Sequence, residues 1–442
     1  MAQITDPNGN TNGQGPRQPI DNATSADIVV VGAGPVGLLM ALKLSLQGIT
    51  TIVIEKHKGI LKAPRAIAYL PVVNAQLKKM GLLEPIAKRA FHCFLGPSWR
   101  PVQGEAHVLC DPVEKIEQLR KAGVDLPPLP PQDENCVYMI GQDELSEIIL
   151  EQLRQRCPEN ISVRFQRSCT AVNNVPGGAT VTTTDKSTDN KENQDMVLTA
   201  KYVIGADGAQ SAVRQCASIP FEGFTWTNFR FTAADVEYDF QEEMNYYPGN
   251  FMVDPYNWAV IARCGPGNVF RIAYGELPET PDDDESLLER SKERIPAWLS
   301  PTNKNYKLRR LKPYWAQKRC AETFQKGRVL LIGDAAHSNN PIGGLGLTGG
   351  ILDSVVVGNA IGRHLKGGEP EEIITRALES RRKTWLEVTN PTSSANYLRV
   401  CSVDEKVASE REEFFHKMNS DPAYAMGILA DQYRLLPDAF EA

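Results

Sequence analysis

The chain has 442 residues, 42% of them hydrophobic and 23% charged, with 48 Lys and Arg against 54 Asp and Glu for a formal charge of −6. That is the composition of a globular chain large enough for two or three packed units, and it excludes bulk disorder. It also excludes a general nucleic-acid binder, which needs concentrated positive charge. The nine cysteines fall at irregular intervals without a C-x-x-C pair, so neither a disulfide framework nor a metal centre is expected, and the chain reads as reduced and cytoplasmic. No run of about 18 uncharged apolar residues predicts a transmembrane segment.

Residues 1–26 are rich in Asn, Gly, Gln and Pro and read as a disordered tail. Order is expected from Asp27, where Ile28 to Val31 form a β-branched run of the kind buried in a parallel sheet. A turn and a helix carrying Leu38, Leu39, Leu42 and Leu46 follow, ended by Gly48 before a second strand from Thr50 to Glu55. These make a βαβ unit. A helical pattern runs from Leu70 to Lys88, and residues 92–134 read as a loop-rich segment at a domain interface, broken by the prolines between Leu126 and Pro131. Another helix is expected from Asp143 to Arg156, then a β-meander from Ile161 to Ile204 with a polar, mobile loop from Asp185 to Asp195. From Phe221 to Arg310 aromatic and β-branched runs predict a separate antiparallel sheet. A buried strand from Arg328 to Ile332 and a helix from Gly349 to Leu365 close the core, and the remaining chain is amphipathic and helical.

The motif Gly32-Ala-Gly34-Pro35-Val36-Gly37 lies between the first strand and the first helix, and Glu55 ends the next strand. Glycines there permit a tight turn and close backbone approach, the helix start turns its N–H groups toward a pyrophosphate, and the acid accepts from ribose hydroxyls. Dinucleotide binding follows, without a choice between NAD and FAD. Two further strand ends carry carboxylates, in Gly205-Ala-Asp207-Gly-Ala-Gln-Ser211-Ala-Val-Arg214 and in Arg328-Val-Leu-Leu-Ile-Gly333-Asp334-Ala-Ala-His337. After them comes Pro341-Ile-Gly343-Gly-Leu-Gly346-Leu347-Thr348-Gly349, whose glycines let the chain press on a flat ring while N–H groups near Leu347 and Thr348 open a helix. It contains a second formal G-x-G-x-x-G, but no βαβ unit surrounds it.

Taken in this order, the motifs resemble the group A flavoprotein monooxygenases, the para-hydroxybenzoate hydroxylase-like family, over about Asp27 to Leu365. The resemblance implies an α/β fold: a Rossmann-like FAD-binding domain in three parts (27–91, 135–219 and 320–366), an inserted antiparallel substrate-binding sheet (220–319) and a C-terminal helical segment (367–442). It implies FAD, held by Gly32, Gly34, Pro35, Val36, Gly37, Glu55, Lys56, Arg65, Gln142, Asp207, Gly333, Asp334, Gly343, Gly346, Leu347 and Thr348. Arg65, in Ala63-Pro-Arg65-Ala66, would bring positive charge to the cofactor, whereas Gln142 stands where many members carry arginine and brings an amide instead. The implied reaction takes electrons from NADPH or NADH and, with O2, hydroxylates a phenolic or other electron-rich aromatic small molecule through a flavin C4a-hydroperoxide, in secondary metabolism or aromatic catabolism. The flavin is the reactive group, so no Ser-His-Asp set is required, and His337 is expected to make structural hydrogen bonds.

Side chains for the substrate pocket are sought on the second sheet, at Tyr247, Asn257, Trp258, Arg263, Arg271 and Tyr274, and at Pro341 in the glycine loop. Strand alternation admits only some of these. An inward arginine would suit a carboxylated substrate. The competing readings are a flavin-dependent reductase, a halogenase, whose W-x-W-x-I-P stretch does not occur in this sequence, and a colourless carrier protein of the same fold. The C-terminal helix with Ile373, Ile374, Ala377, Leu378 and Trp385 is expected to pack on the substrate sheet or on another subunit, the protein being a monomer or homodimer.

Overall fold

The computed structural model describes residues 22–62, 65–126, 131–187 and 195–436. The tail, the prolines 127–130, the centre of the 185–195 loop, and Ala63 and Pro64 of the Arg65 segment lie largely or wholly outside the described residues.

The first strand begins at Ser25, two residues before the expected start, and the sheet built on it runs in the order Gln325–Lys326, Val329–Leu331, Met196–Gly205, Ser25–Val31, Thr51–Ile54, Ile161–Arg164. The four strands from Val329–Leu331 to Thr51–Ile54, and the next at Ile161–Arg164, pair in parallel. Parallel pairing puts the carboxyl ends of these strands on one edge. Register then aligns them: Val31 lies opposite both Ile54 and Gly205, and Gly205 opposite Leu331. These residues end their strands, and Gly32, Glu55, Asp207 and Asp334 follow them within one to three residues, so the motif residues leave the sheet side by side. Helices Pro35–Ser45 and Leu345–Leu365 cover the sheet and pack on each other.

Helix Leu345–Leu365 is long and apolar enough to cross a membrane by length and mean hydropathy, 1.4, although Asp353 and Arg363 keep it from being the uncharged run that a spanning segment was expected to need. Almost all of it is buried inside the protein, between helices Pro35–Ser45 and Glu372–Thr384, so its apolarity serves the core. It starts at Leu345 rather than Gly349, which places Gly346 and Leu347 in the first turn, where backbone N–H groups lack intrahelical acceptors.

The second sheet has six strands, in the order Lys307–Tyr314, Arg230–Glu237, Val269–Glu276, Ala259–Arg263, Gly249–Met252, Ser98–Arg100. Its outermost strand, Ser98–Arg100, comes from the region read as loops and pairs in parallel with Gly249–Met252. The same region holds a ten-residue helix, Pro112–Lys121, capped by Asp111, whose side chain accepts from the N–H of Val113 and Glu114. An acid before a proline is a helix start. The helix carrying Ile373, Ile374, Ala377, Leu378 and Trp385 packs into the core of the first sheet and not onto the second. It is the later helices, Asn390–Cys401 and Glu405–Ser420, that bring Tyr397, Val400, Phe414, Phe415 and Met418 against Trp99, Phe231, Phe251 and Trp258. All nine cysteines are among the described residues, and none forms a disulfide.

Candidate functional site

The aligned strand ends open into one cavity of about 1650 Å³, walled on its far side by the second sheet and the C-terminal helices. At the first strand end the chain turns at Gly32 with φ of 108°, and a Cβ there would stand 2.5 Å from the Ala206 carbonyl oxygen. A Cβ on Gly37 would lie 2.1 Å from the Gly32 carbonyl oxygen, while one on Gly34 would meet nothing within 4 Å, because that residue faces the cavity. Gly34 caps the helix that Pro35 opens, so unpaired N–H groups are presented beside this open space.

Glu55 fixes the turn as well as facing the cavity: Oε2 accepts from the Ala33 N–H at 2.9 Å and Oε1 from the His57 N–H at 3.0 Å. Its neighbour Lys56 also lines the wall. Across the cavity Asp334 follows Gly333, which needs its φ of 57° to turn the carboxylate inward. Asp334 is open to the cavity but enclosed by protein around it, and this desolvation pushes its carboxyl above the ordinary value against the pull of His337 and Arg65. Arg65 and Gln142 line the same space, and the Gln142 N–H donates to the Ala66 carbonyl at 2.9 Å, tying that segment to helix Gln142–Arg156.

Other motif residues are engaged structurally. The Asp207 carboxylate accepts from Ser211 Oγ at 2.5 Å and from the N–H of Ala212 at 2.7 Å, so it caps helix Ala212–Cys216 at the cavity edge. Thr348 Oγ1 accepts from the Leu70 N–H at 3.1 Å and donates to the Gly344 carbonyl at 2.9 Å, away from the cavity lining that Gly343, Gly346 and Leu347 supply.

Beneath Gly333 lies a cluster that the motifs alone do not reveal. Asp353, 1% exposed in the middle of the long helix, accepts from the Gly333 N–H at 2.9 Å, His337 Nε2 at 2.8 Å and Arg381 Nε at 2.7 Å. Burial alone would raise its pKa, but His337 and Arg381 outweigh that and hold the carboxyl far below the usual range. Arg381 also donates to the Leu435 carbonyl, which locks the C-terminal segment onto the same point. His337 thus braces the loop carrying Asp334. The only sequence signal for the cluster is an acid in an otherwise apolar helix.

On the substrate side, Trp258, Arg271 and Pro341 line the cavity, whereas Tyr247, Asn257, Arg263 and Tyr274 are not among its lining residues. Strand alternation sets this division: Arg271 and Ala273 face the cavity, and Phe270, Ile272 and Tyr274 enter the core behind it. The Tyr274 hydroxyl is bonded to Ser291 Oγ at 2.8 Å, and Arg263 bonds Gln241 and lies over Phe91. Arg271 carries no free charge. Asp235, directly opposite in register, takes its Nε at 2.7 Å and Nη2 at 3.0 Å, and Nη1 donates to the Arg65 carbonyl. The floor between is cleared by small residues, Ala233, Ala262 and Ala273.

The cavity fits FAD: one end offers a glycine turn that a Cβ would fill, two helix starts and the carboxylates of Glu55 and Asp334, which would accept from a nucleotide's hydroxyls, and the other an apolar chamber. A direct test is Glu55→Gln, which removes the charge but keeps the shape. Affinity for FAD, followed by flavin fluorescence on titrating apoprotein, is expected to fall about tenfold, the difference between a charged and a neutral acceptor.

Comparison with known proteins agrees with this geometry. The FAD binding domain family model matches residues 25–392. The chain is 34% identical over 412 residues to the para-nitrophenol 4-monooxygenase of Pseudomonas sp. strain WBC-3, covering 92% of this chain and 95% of that one. It is 29% identical to the 6-hydroxy-3-succinoylpyridine 3-monooxygenase of Pseudomonas putida over 84% of its length and 87% of the relative's. The crystal structure of a p-nitrophenol 4-monooxygenase from Pseudomonas putida superposes with a TM-score of 0.84 at 33% identity, covering 94% of this chain and 99% of that one. The chain belongs to the FAD binding domain family and, within it, to the FAD-dependent aromatic monooxygenases.

Proposed function

We propose that this enzyme hydroxylates a single-ring phenol, held between the Pro341–Gly344 turn and the alanine floor of the second sheet. The continuity of one cavity from the Gly32 turn to Trp258 carries this reading. FAD, reduced by a nicotinamide cofactor, supplies the oxygen-activating chemistry. The chain's own work is to bind, orient and keep dry.

Gly32, Glu55 and Asp334 fix the nucleotide end, and the first turn of helix Leu345–Leu365 turns N–H groups toward the chamber, where they favour developing negative charge. Phe231, Phe251, Trp258 and Tyr314 present ring faces and edges that hold an aromatic plane and exclude water. Arg271, neutralised by Asp235, acts as a strut that keeps the Arg65 segment against the cavity.

The test is aerobic turnover of 4-nitrophenol and 4-hydroxybenzoate by the purified yellow protein with NADPH or NADH. The expected result is oxidation of the nicotinamide coupled to a product containing one atom from ¹⁸O-labelled dioxygen. Oxidation of the nicotinamide without label in any product, across a panel of phenols, would reject the assignment.

A further inference from the structure

We propose that Arg399 determines substrate specificity by receiving a planar two-oxygen anionic group, a carboxylate or the nitro group of a nitrophenolate, on the aromatic ring. This rests on the reading of the cavity as a phenol site and names the substituent that the site selects.

Arg399 lies on helix Asn390–Cys401, outside the motifs, and lines the cavity. Its guanidinium is 3.8 Å from the Phe414 ring centre and 5.2 Å from that of Trp99, two residues that also line the cavity. Its one side-chain hydrogen bond among the described residues runs from Nη1 to Asn396 Oδ1 at 2.7 Å, and no carboxylate there pairs with it. The contrast is with Arg271, whose fork is filled by Asp235. A guanidinium among aromatic rings without a counter-ion is an incomplete charge pair, and a bidentate oxyanion completes it. Burial lowers its pKa to about 10, which leaves it charged at neutral pH.

Position supports the role. The Asn396 amide nitrogen stands 2.8 Å from where a Cβ of Gly343 would be, so the residue that orients Arg399 also abuts the turn at the ring end of the cofactor cleft. A ring anchored by its oxyanion at Arg399 would therefore be held at a fixed reach from that turn. Ring stacking with Phe414 and Trp99 keeps the guanidinium plane from swinging out when no ligand is present.

The experiment uses the flavin-loaded enzyme and follows perturbation of the flavin absorption on titration with 4-nitrophenol, 4-hydroxybenzoate and the neutral, size-matched 4-cresol. Wild type is expected to bind at least one of the first two about tenfold or more tightly than 4-cresol, and which one it prefers tells nitro from carboxylate. Arg399→Met should lose about 10- to 100-fold for that ligand, with 4-cresol within about threefold, and Arg399→Lys should restore part of the loss. Equal affinity of wild type for all three, or an equal loss of all three in Arg399→Met, overturns the proposal while leaving the phenol reading intact. Absence of binding by any phenol overturns both. If Arg399→Met fails to retain flavin, the wild-type ranking and the Arg399→Lys variant decide.

Discussion

Replacing Asp353 with alanine is expected to destabilise the protein by about 3–5 kcal/mol and to release most of its flavin, because the substitution leaves the Arg381 guanidinium buried without a counter-ion. The loss reaches the cofactor through Gly333, whose N–H is held by the same carboxylate and whose turn aims Asp334 into the cavity. Urea unfolding followed by tryptophan fluorescence, with flavin release read in parallel, measures both effects. An unchanged midpoint would show that the cluster is not the brace described above. The pH dependence follows from the direction of the shift. A carboxyl depressed on folding contributes its full stability above the ordinary value of 3.8 and loses it as pH falls through the folded value. Wild type should therefore lose stability on acidification below about pH 4, and Asp353→Ala should show a flatter profile in that window.

Gly32→Ala is the second large effect. The residue sits at φ of 108°, which disfavours any side chain, and the added methyl would press on the Ala206 carbonyl, a backbone atom of the neighbouring strand end that has no rotamer in which to retreat. About 2–4 kcal/mol of strain is expected, relieved by opening the turn between the first and the Asp207-bearing strands. Because that turn would hold the pyrophosphate of FAD, purified Gly32→Ala should carry less than about a tenth of the wild-type flavin, read as the ratio of 450 to 280 nm absorbance. Gly34→Ala is the internal comparison: a methyl there meets no atom of the described residues within 4 Å and is expected to interfere with a bound ligand. Folding stability of the apoprotein should drop for Gly32→Ala and stay level for Gly34→Ala.

The nucleotide half was legible because its chemistry is local: a glycine turn, its helix and its acid lie within Gly32 to Glu55, and backbone sterics tie each residue type to its place. The second sheet was legible as a composition but not as a surface. Alternation states that Arg271 and Tyr274 face opposite ways, yet it does not state which way is inward, since that depends on what covers each face. The partners that decide a side chain's role lie beyond any local pattern. Asp235 neutralises Arg271 across a strand pair 36 residues apart in sequence, and Arg381 meets Asp353 from a helix 28 residues on. For the same reason Arg399 drew no attention: its meaning lies in having no carboxylate paired with it among the described residues. The helix Pro112–Lys121 is different, for Asp111 and Pro112 announce it locally and the surrounding glycines and prolines masked the signal.

The strand order has a consequence for biosynthesis. Val329–Leu331, which places Gly333 and Asp334, docks beside Met196–Gly205 only after more than a hundred intervening residues have been made, and the brace from Arg381 arrives later still. A nascent chain still on the ribosome at residue 320 would hold the Gly32 turn and Glu55 but not Asp334 or the glycine turn after it. If FAD is held from both sides in this way, its stable capture would come late in maturation, and the vitamin supply of the cell would bear on the yield of finished enzyme by locking the late strand in place.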